Sequence, residues 1–425
     1  MSQINGSPMR RRPRLCVAML AASLCCLGGV APQARADEEM SSWHLGTLRA
    51  EEMWQHAQGE GITVAVIDGG VDDSVPGLRG QVLEGTDLNL NPQGAHVDES
   101  GHGTAMASLI AGTGAEGSTR GLAPEATILP VRFMEGGMAG EFDFGAEERL
   151  AEAIEYAVEA GAQIINLSVS KPELGFEFDA LDEAFAEAAR QGVLIFAGTG
   201  NDGEEGKPVG HPATREGVVA VAAVDPDGDR AAYSSAGPQV ALAAPGTDIP
   251  LPCEIGSTER CPWNGTSNAT AIASASAALI WSANPDWTKN QVLRAMIETA
   301  GGNGQRDEYV GYGVIDPARV IVDGEGDPGD PDVNPLFEDY EASLSPPVSP
   351  EPQVEEPEVP PDAAEAEEQP GVAAEEGDGG GWLAVAGGGL AAVVAGVVAW
   401  VVWRSRRRQR LGTVYAGAAP PPDQR

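Results

Sequence analysis

Three short stretches carry residue types that could perform nucleophilic chemistry together: VAVIDGGVD with Asp68, SGHGTAMASLIAG with His102, and GTSNA with Ser267. A serine hydroxyl is a weak nucleophile until a general base takes its proton. An imidazole can be that base when a carboxylate fixes its tautomer and stabilises the imidazolium. The chain has only five histidines, at positions 44, 56, 96, 102 and 211, so the choice of base is short. Small residues flank all three groups and leave room for them to converge beside a substrate backbone. Ser267 has a second reading. A serine just ahead of an apolar run is a common helix N-cap, its hydroxyl accepting an orphan backbone N–H. A fourth stretch, LIFAGTGND, ends in a Gly-rich turn at Asn201. Taken alone, Asn201 reads as a turn residue that tolerates positive φ.

The elements that must position these groups follow from hydrophobic periodicity. Apolar runs predict strands over 62–67, 126–131, 162–167, 193–197 and 218–224. Amphipathic or Ala-rich runs predict helices over 104–111, 146–160, 180–191 and 267–282. Continuously apolar strands alternating with helices imply a parallel sheet covered on both faces, an α/β fold. In this reading Asp68 ends a strand, while His102 and Ser267 open helices.

The 425 residues carry a formal net charge of −38, which excludes a general nucleic-acid binder. At the N-terminus four arginines between 10 and 14 precede an apolar run from Leu15 to Val30, and Ala34-Arg35-Ala36 supplies a cleavage pattern. Residues 1–36 are expected to be a signal peptide. The alternative is an uncleaved anchor, for which the run is short. Removing the signal leaves Cys253 and Cys261, a lone pair expected to form a structural disulfide in an exported protein. Two cysteines are too few for a closed zinc site, and no metal is assigned. DPDGDR at 225–230 reads as a hairpin turn, because Ala236 stands where a calcium loop would need glutamate.

Residues 323–381 are rich in Asp, Glu, Pro, Gly and Ala and lack Lys and Arg, so they are expected to form a disordered acidic, Pro-rich linker. Residues 382–403 are apolar and uncharged. A helix of that length spans roughly 33 Å, enough for a bilayer core of about 30 Å. Trp382, Trp400 and Trp403 sit at interfacial positions, and the arginines from 404 to 410 orient the short 404–425 tail to the cytoplasm. The expected partner there is a lipid bilayer, crossed once, with the folded region outside the cytoplasm.

The motifs VAVIDGGVD, SGHGT and GTS, in the order Asp, His, Ser on an α/β pattern, resemble the subtilisin-like serine proteases over about 43–322. The resemblance implies a three-layer sandwich with a mainly parallel sheet as the catalytic domain (62–322), after an N-terminal extension (37–61). It implies a catalytic triad of Asp68, His102 and Ser267, with Asn201 donating to the oxyanion. It implies an extended protein or peptide substrate pairing with Ser168, Val169 and Ser170, with Gly198, Thr199 and Gly200 as the other wall of the pocket. No cofactor is required. Ser170 stands where the family commonly has glycine, which would narrow that pocket. Asn268, Ala271 and Ala275 also depart from the family pattern after the serine.

The stretches WHLGTLRAEEMWQHAQGEGITVAVIDGGVD, GLAPEATILPVR, HPATREGVVAVAAVD, LAAPGTDI and GYGVIDPARV are similar to mycosins, the membrane-anchored subtilases of type VII secretion systems. That implies a type VII secretion membrane complex as a partner. Two other readings stay open from sequence: a scaffold for such a complex whose proteolysis is dispensable, and a general degradative surface protease.

Overall fold

The computed structural model describes residues 43–134, 145–172, 179–302 and 304–344. The expected signal peptide, the expected span at 382–403, the tail at 404–425 and the linker beyond 344 lie outside the described residues. Among the described residues no helix is long and apolar enough to cross a membrane.

Seven strands form one parallel sheet: β1 (Thr63–Asp68), β2 (Thr86–Asp87), β3 (Thr127–Arg132), β4 (Ile164–Leu167), β5 (Leu194–Gly198), β6 (Val218–Val224) and β7 (Val240–Pro245). Their spatial order is β2-β3-β1-β4-β5-β6-β7. The parallel register pairs Val64 with Ile128 on one side and with Ile164 on the other. Strand β1 is therefore flanked by β3 and β4, and the chain order reverses direction there.

Alternation along β1 splits the core into two layers. Val64 and Val66 pack with Leu109, Ile110 and Ile272 from helices α3 (His102–Ala111) and α6 (Thr266–Ala283). Ala65 and Ile67 pack with Leu150, Ile154, Leu181 and Phe185 from α4 (Ala146–Glu159) and α5 (Asp179–Arg190). This is the period-two pattern of a sheet covered on both faces. The result is the expected three-layer α/β sandwich.

Strands β2 and β7 and the remaining elements were not read from sequence. Short helices α1 (Trp43–Thr47) and α2 (Ala50–Met53) precede the sheet. A β8 (Ile249–Pro252) and β9 (Arg260–Trp263) hairpin is antiparallel, and Cys253 and Cys261 are bonded at its turn end. Helix α7 (Lys289–Thr299) opens with a capping box, Thr288 and Gln291, and α8 (Pro317–Ile321) follows. The turn expected at 225–230 is present, with Asp225 Oδ1 accepting from the Asp227 and Asp229 N–H groups.

The disordered linker expected from Asp323 needs correction at its start. Residues 323–344 fold against the domain and end in α9 (Glu338–Leu344). Asn334 is buried, and its amide donates to Glu341 Oε1 at 2.7 Å, which also pairs with Lys289. Asp323 accepts from Arg49 at 2.7 Å, tying this strap to α2. Composition misled because a few anchors (Asn334, Leu336, Phe337, Tyr340) suffice when a preformed surface receives them.

His44 of α1 is 3% exposed, and neither ring nitrogen has a partner among the described residues. Burial lowers its pKa from 6.5 to about 4. The fold therefore keeps the ring neutral, while the unfolded chain takes up a proton as pH drops below 6.5. Stability should fall by about 3 kcal/mol between pH 7 and pH 4 through this group alone. Urea titration of the native chain and of His44→Phe at the two pH values checks this: the substitution should remove that part of the acid sensitivity.

Candidate active site

Each reactive side chain stands at the end of an element. Asp68 ends β1 at the carboxyl edge of the sheet, where β3 and β4 depart on opposite sides. Such a switch point leaves a crevice outside the strand ends. Asp68 is fully buried, so its carboxylate must be satisfied by protein groups. Its Oδ1 accepts from the Gly69 N–H at 2.7 Å. His102 Nδ1 lies 3.0 Å from Oδ1 and 2.8 Å from Oδ2. With Nδ1–H donating to the carboxylate, Nε2 becomes the basic nitrogen.

Helix α3 can place His102 there only because its first turn comes very near the chain leaving β1. A Cβ built on Gly103 would lie 2.1 Å from Gly70 O and 3.1 Å from Asp68 Cβ. No other residue fits at Gly103. The helix start is held by Asp98, which the sequence reading missed. Asp98 Oδ2 accepts from the Thr104 N–H at 2.8 Å and its hydroxyl at 2.6 Å. Oδ1 accepts from the Gly101 N–H at 2.9 Å and the Ser100 N–H at 3.2 Å. One buried carboxylate thus satisfies several orphan donors of the helix start. Arg132, also missed, has a fully buried guanidinium that donates to Gly69 O at 3.2 Å and to Asp87 at 2.9 Å. It braces the backbone just beyond Asp68.

Burial is the largest single influence on the His102 imidazole and disfavours its cation. The charge and hydrogen bond of Asp68, with the charge of Asp98, outweigh it, and the net shift is upward from 6.5.

Ser267 is the second residue of α6, and Gly265 is the N-cap. The capping reading of Ser267 therefore fails: its hydroxyl makes no cap and instead donates to Ser168 O at 3.1 Å. In return Ser168 Oγ donates to Ser267 O at 3.0 Å. Among the described residues no hydrogen bond joins Ser267 Oγ to His102. Asn268, next in the chain, is buried and donates to Gly246 O and Trp263 O, both at 3.2 Å. It anchors α6 to the preceding chain. Ala271 and Ala275 are fully buried, and the helix runs unbroken through them.

Asn201 faces this helix start. Its Oδ1 accepts from the Thr266 N–H at 2.9 Å and the Thr266 hydroxyl at 3.1 Å. A backbone donor on the oxygen fixes the amide orientation and leaves the NH₂ group free to donate. A Cβ built on Gly265 would lie 3.6 Å from Asn201 Nδ2 and 3.7 Å from the Ser267 nitrogen, so both donors border one space. Thr266 is a third residue missed in the sequence; its signal was its place inside the GTS motif.

Ser168, Val169 and Ser170 extend β4 beyond the sheet. Among the described residues no backbone hydrogen bond uses Val169 or Ser170, so their N–H and C=O groups stay open. Across from them the chain at 198–200 is pinned: the Gly200 N–H donates to Thr266 Oγ1 at 3.2 Å, and Thr199 O accepts from the Gly210 N–H at 2.9 Å. Ser170 Oγ lies close to Gly200 and Gly210. It would be 2.2 Å from a Cβ on Gly210 and 2.9 Å from one on Gly200.

Residues 59–313 match the model of the subtilase family, peptidase family S8. Subtilisin E of Bacillus subtilis is 33% identical over 285 residues, covering 66% of this chain and 71% of its own length. The crystal structure of MycP1 from Mycobacterium smegmatis superposes with a TM-score of 0.59 at 28% identity, covering 68% of this chain and 86% of that one. The MycP3 protease from the type VII (ESX-3) secretion system gives 0.58 at 30% identity, over 66% and 88% of the two chains. The chain belongs to the subtilase family and is a subtilisin-like serine endopeptidase.

The raised His102 pKa has a kinetic consequence. If His102 acts as general base, kcat/KM rises as pH climbs through its pKa in the free enzyme. The acid limb of the profile should lie above 6.5. In Asp68→Asn it should move to lower pH, with kcat reduced on the order of 10⁴-fold. Peptide anilide hydrolysis from pH 5 to 10 measures both.

Proposed function

We propose that Asp68, His102 and Ser267 form the catalytic triad of a membrane-anchored, extracytoplasmic endopeptidase. The observation that carries this is the Asp68–His102 pair at the start of α3, a helix packed against α6, whose second residue is Ser267. Ser267 Oγ attacks the scissile carbonyl carbon while His102 Nε2 takes its proton. Asp68 holds the imidazole and stabilises the cation. The oxyanion is held by the Asn201 NH₂ group and the Ser267 N–H. The carbonyl re-forms, the amine leaves with the proton from His102, and water then hydrolyses the acyl-enzyme by the same steps reversed.

The resting hydroxyl bond to Ser168 O fits this scheme. An extended peptide adding as a strand along 168–170 would present an N–H to that carbonyl. Substrate would then compete with the Ser267 hydroxyl for Ser168 O and release it to His102. Catalytic hydrogen bonds commonly tighten only in the substrate complex.

The likeness to MycP1 and MycP3 supports a mycosin-like processing role linked to a type VII secretion system. The sequence-derived signal peptide, acidic linker and single span support an exported domain with a cytoplasmic C-terminus.

Full-length protein treated with a fluorophosphonate probe should be labelled at Ser267, as mapped by mass spectrometry. Labelling should vanish in Ser267→Ala and fall sharply in His102→Ala. Labelling elsewhere, or labelling independent of His102, would refute the triad.

Ser170 predicts the preference for the residue before the scissile bond. Its hydroxyl lies against Gly200 of the facing wall, so small side chains should be favoured. Ser170→Gly should raise kcat/KM for a peptide with phenylalanine there, relative to alanine, by roughly tenfold or more. A matched pair of peptide anilides measures the ratio.

A further inference from the structure

A cavity opens beside the start of α3, and its lining includes Gly101, the residue before His102. One wall is the first turns of α3, with Gly101, Thr104 and Ala105, and Val75 adjoins it. The opposite wall is the disulfide-closed turn of the β8–β9 hairpin with Ile255, and Trp263 at the end of β9. The surface exposed in it is mainly apolar, although Ser, Thr and Glu side chains, Glu116 and Glu254 among them, also line it. The far end is clasped by Arg260, which donates to Thr119 Oγ1 at 3.1 Å and to Gly117 O. Ile255 is 40% exposed at this cavity, an unusual place for a large aliphatic side chain. Its Cγ1 would lie 2.7 Å from a Cβ on Gly101, the residue before His102.

The chemistry says what passes here. The leaving amine receives its proton from His102, so the substrate residues beyond the scissile bond lie on the His102 side. The cavity adjoins that path through Gly101 on one wall and through Trp263, four residues before Ser267, on the other.

We propose that this cavity receives an apolar side chain of the substrate on the leaving-group side of the scissile bond, and that Ile255, carried on the Cys253–Cys261 turn, is the residue that sets this preference. The inference rests on the protease reading above. The disulfide fixes the short turn that carries Ile255, so it keeps the side chain against Gly101. Opening the bond would let the turn move away and loosen selection without touching Asp68, His102 or Ser267.

Acyl transfer to added amines tests this directly. The full-length chain is acylated by a peptide p-nitroanilide ending in alanine, whose leaving group has no side chain. Leucinamide and glycinamide then compete with water for the acyl-enzyme. In each transfer the amine nitrogen forms the new C–N bond and the ester bond to Ser267 Oγ breaks. The amine proton passes through His102 Nε2 to Ser267 Oγ. Both products come from one acyl-enzyme population, so changes in acylation rate or in the folded fraction cancel from their ratio.

The native chain should transfer to leucinamide roughly tenfold better than to glycinamide, the order expected when an apolar side chain fills a pocket. Ile255→Ala should bring the ratio close to one, and so should the double variant Cys253→Ser, Cys261→Ser. Equal transfer to the two amines by the native chain would overturn the proposal, as would a preference unchanged in Ile255→Ala. Failure to release p-nitroaniline or to label with the fluorophosphonate would instead overturn the protease reading, and this inference with it.

Discussion

One close approach governs the architecture of the site: the first turn of α3 pressed onto the backbone that leaves β1. A single methyl at Gly103 would collide with Gly70 O, so the contact exists only for a side chain of hydrogen. Given that contact, His102 has little choice but to lie over Asp68. Asp98 and Arg132 secure the two backbones that meet there, one from the helix side and one from the strand side. The buried Asp68 carboxylate, costly without partners, is then satisfied by the ring it orients.

Much of this was legible in the chain. Asp68, His102 and Ser267 sit at transitions between apolar runs and small-residue turns, and nine of the regular elements follow from periodicity within about two residues. The reason is that these strands are buried on both faces and these helices on at least one, so burial writes itself into the pattern. What stayed hidden depends on contacts between distant segments. Thr266 looks like one more small residue in a turn until Asn201 is brought against it. Asp98 looks like a loop acid until Gly101 and Thr104 fold back over it. Strand β2 is two residues long and half-buried, too short to show a period. The segment from 323 reads as a solvated acid-rich spacer because composition averages over it, and the average conceals Asn334 and Lys289 meeting at Glu341.

On the proposed reading, helix α6 keeps the catalytic serine apart from the residues that select substrate. Its alanines at 269, 271, 273, 275, 277 and 278 are wholly buried, so it passes close to the sheet and no side chain there can grow without displacing a neighbour. The Ser267 position is consequently rigid. Ser170 and Ile255 are exposed and lie on irregular chain flanking the site. On that reading, substitution at either would change the shape beside the reacting bond at little cost to the core. A lineage could alter what is cleaved while leaving how it is cleaved untouched.

The strap at 323–344 gives the domain a mechanical property. It follows the last core helix, so a pull on the chain beyond Leu344 reaches α9 before any strand of the sheet. The load is borne in turn by Glu341 with Lys289, by the hydrogen bonds between α7 and residues 327–333, and then by the Arg49–Asp323 clasp. These contacts can give way one after another like the teeth of a zip. Tension on that side is spent in peeling the strap, and the alignment of Asp68 with His102 is the last thing it disturbs.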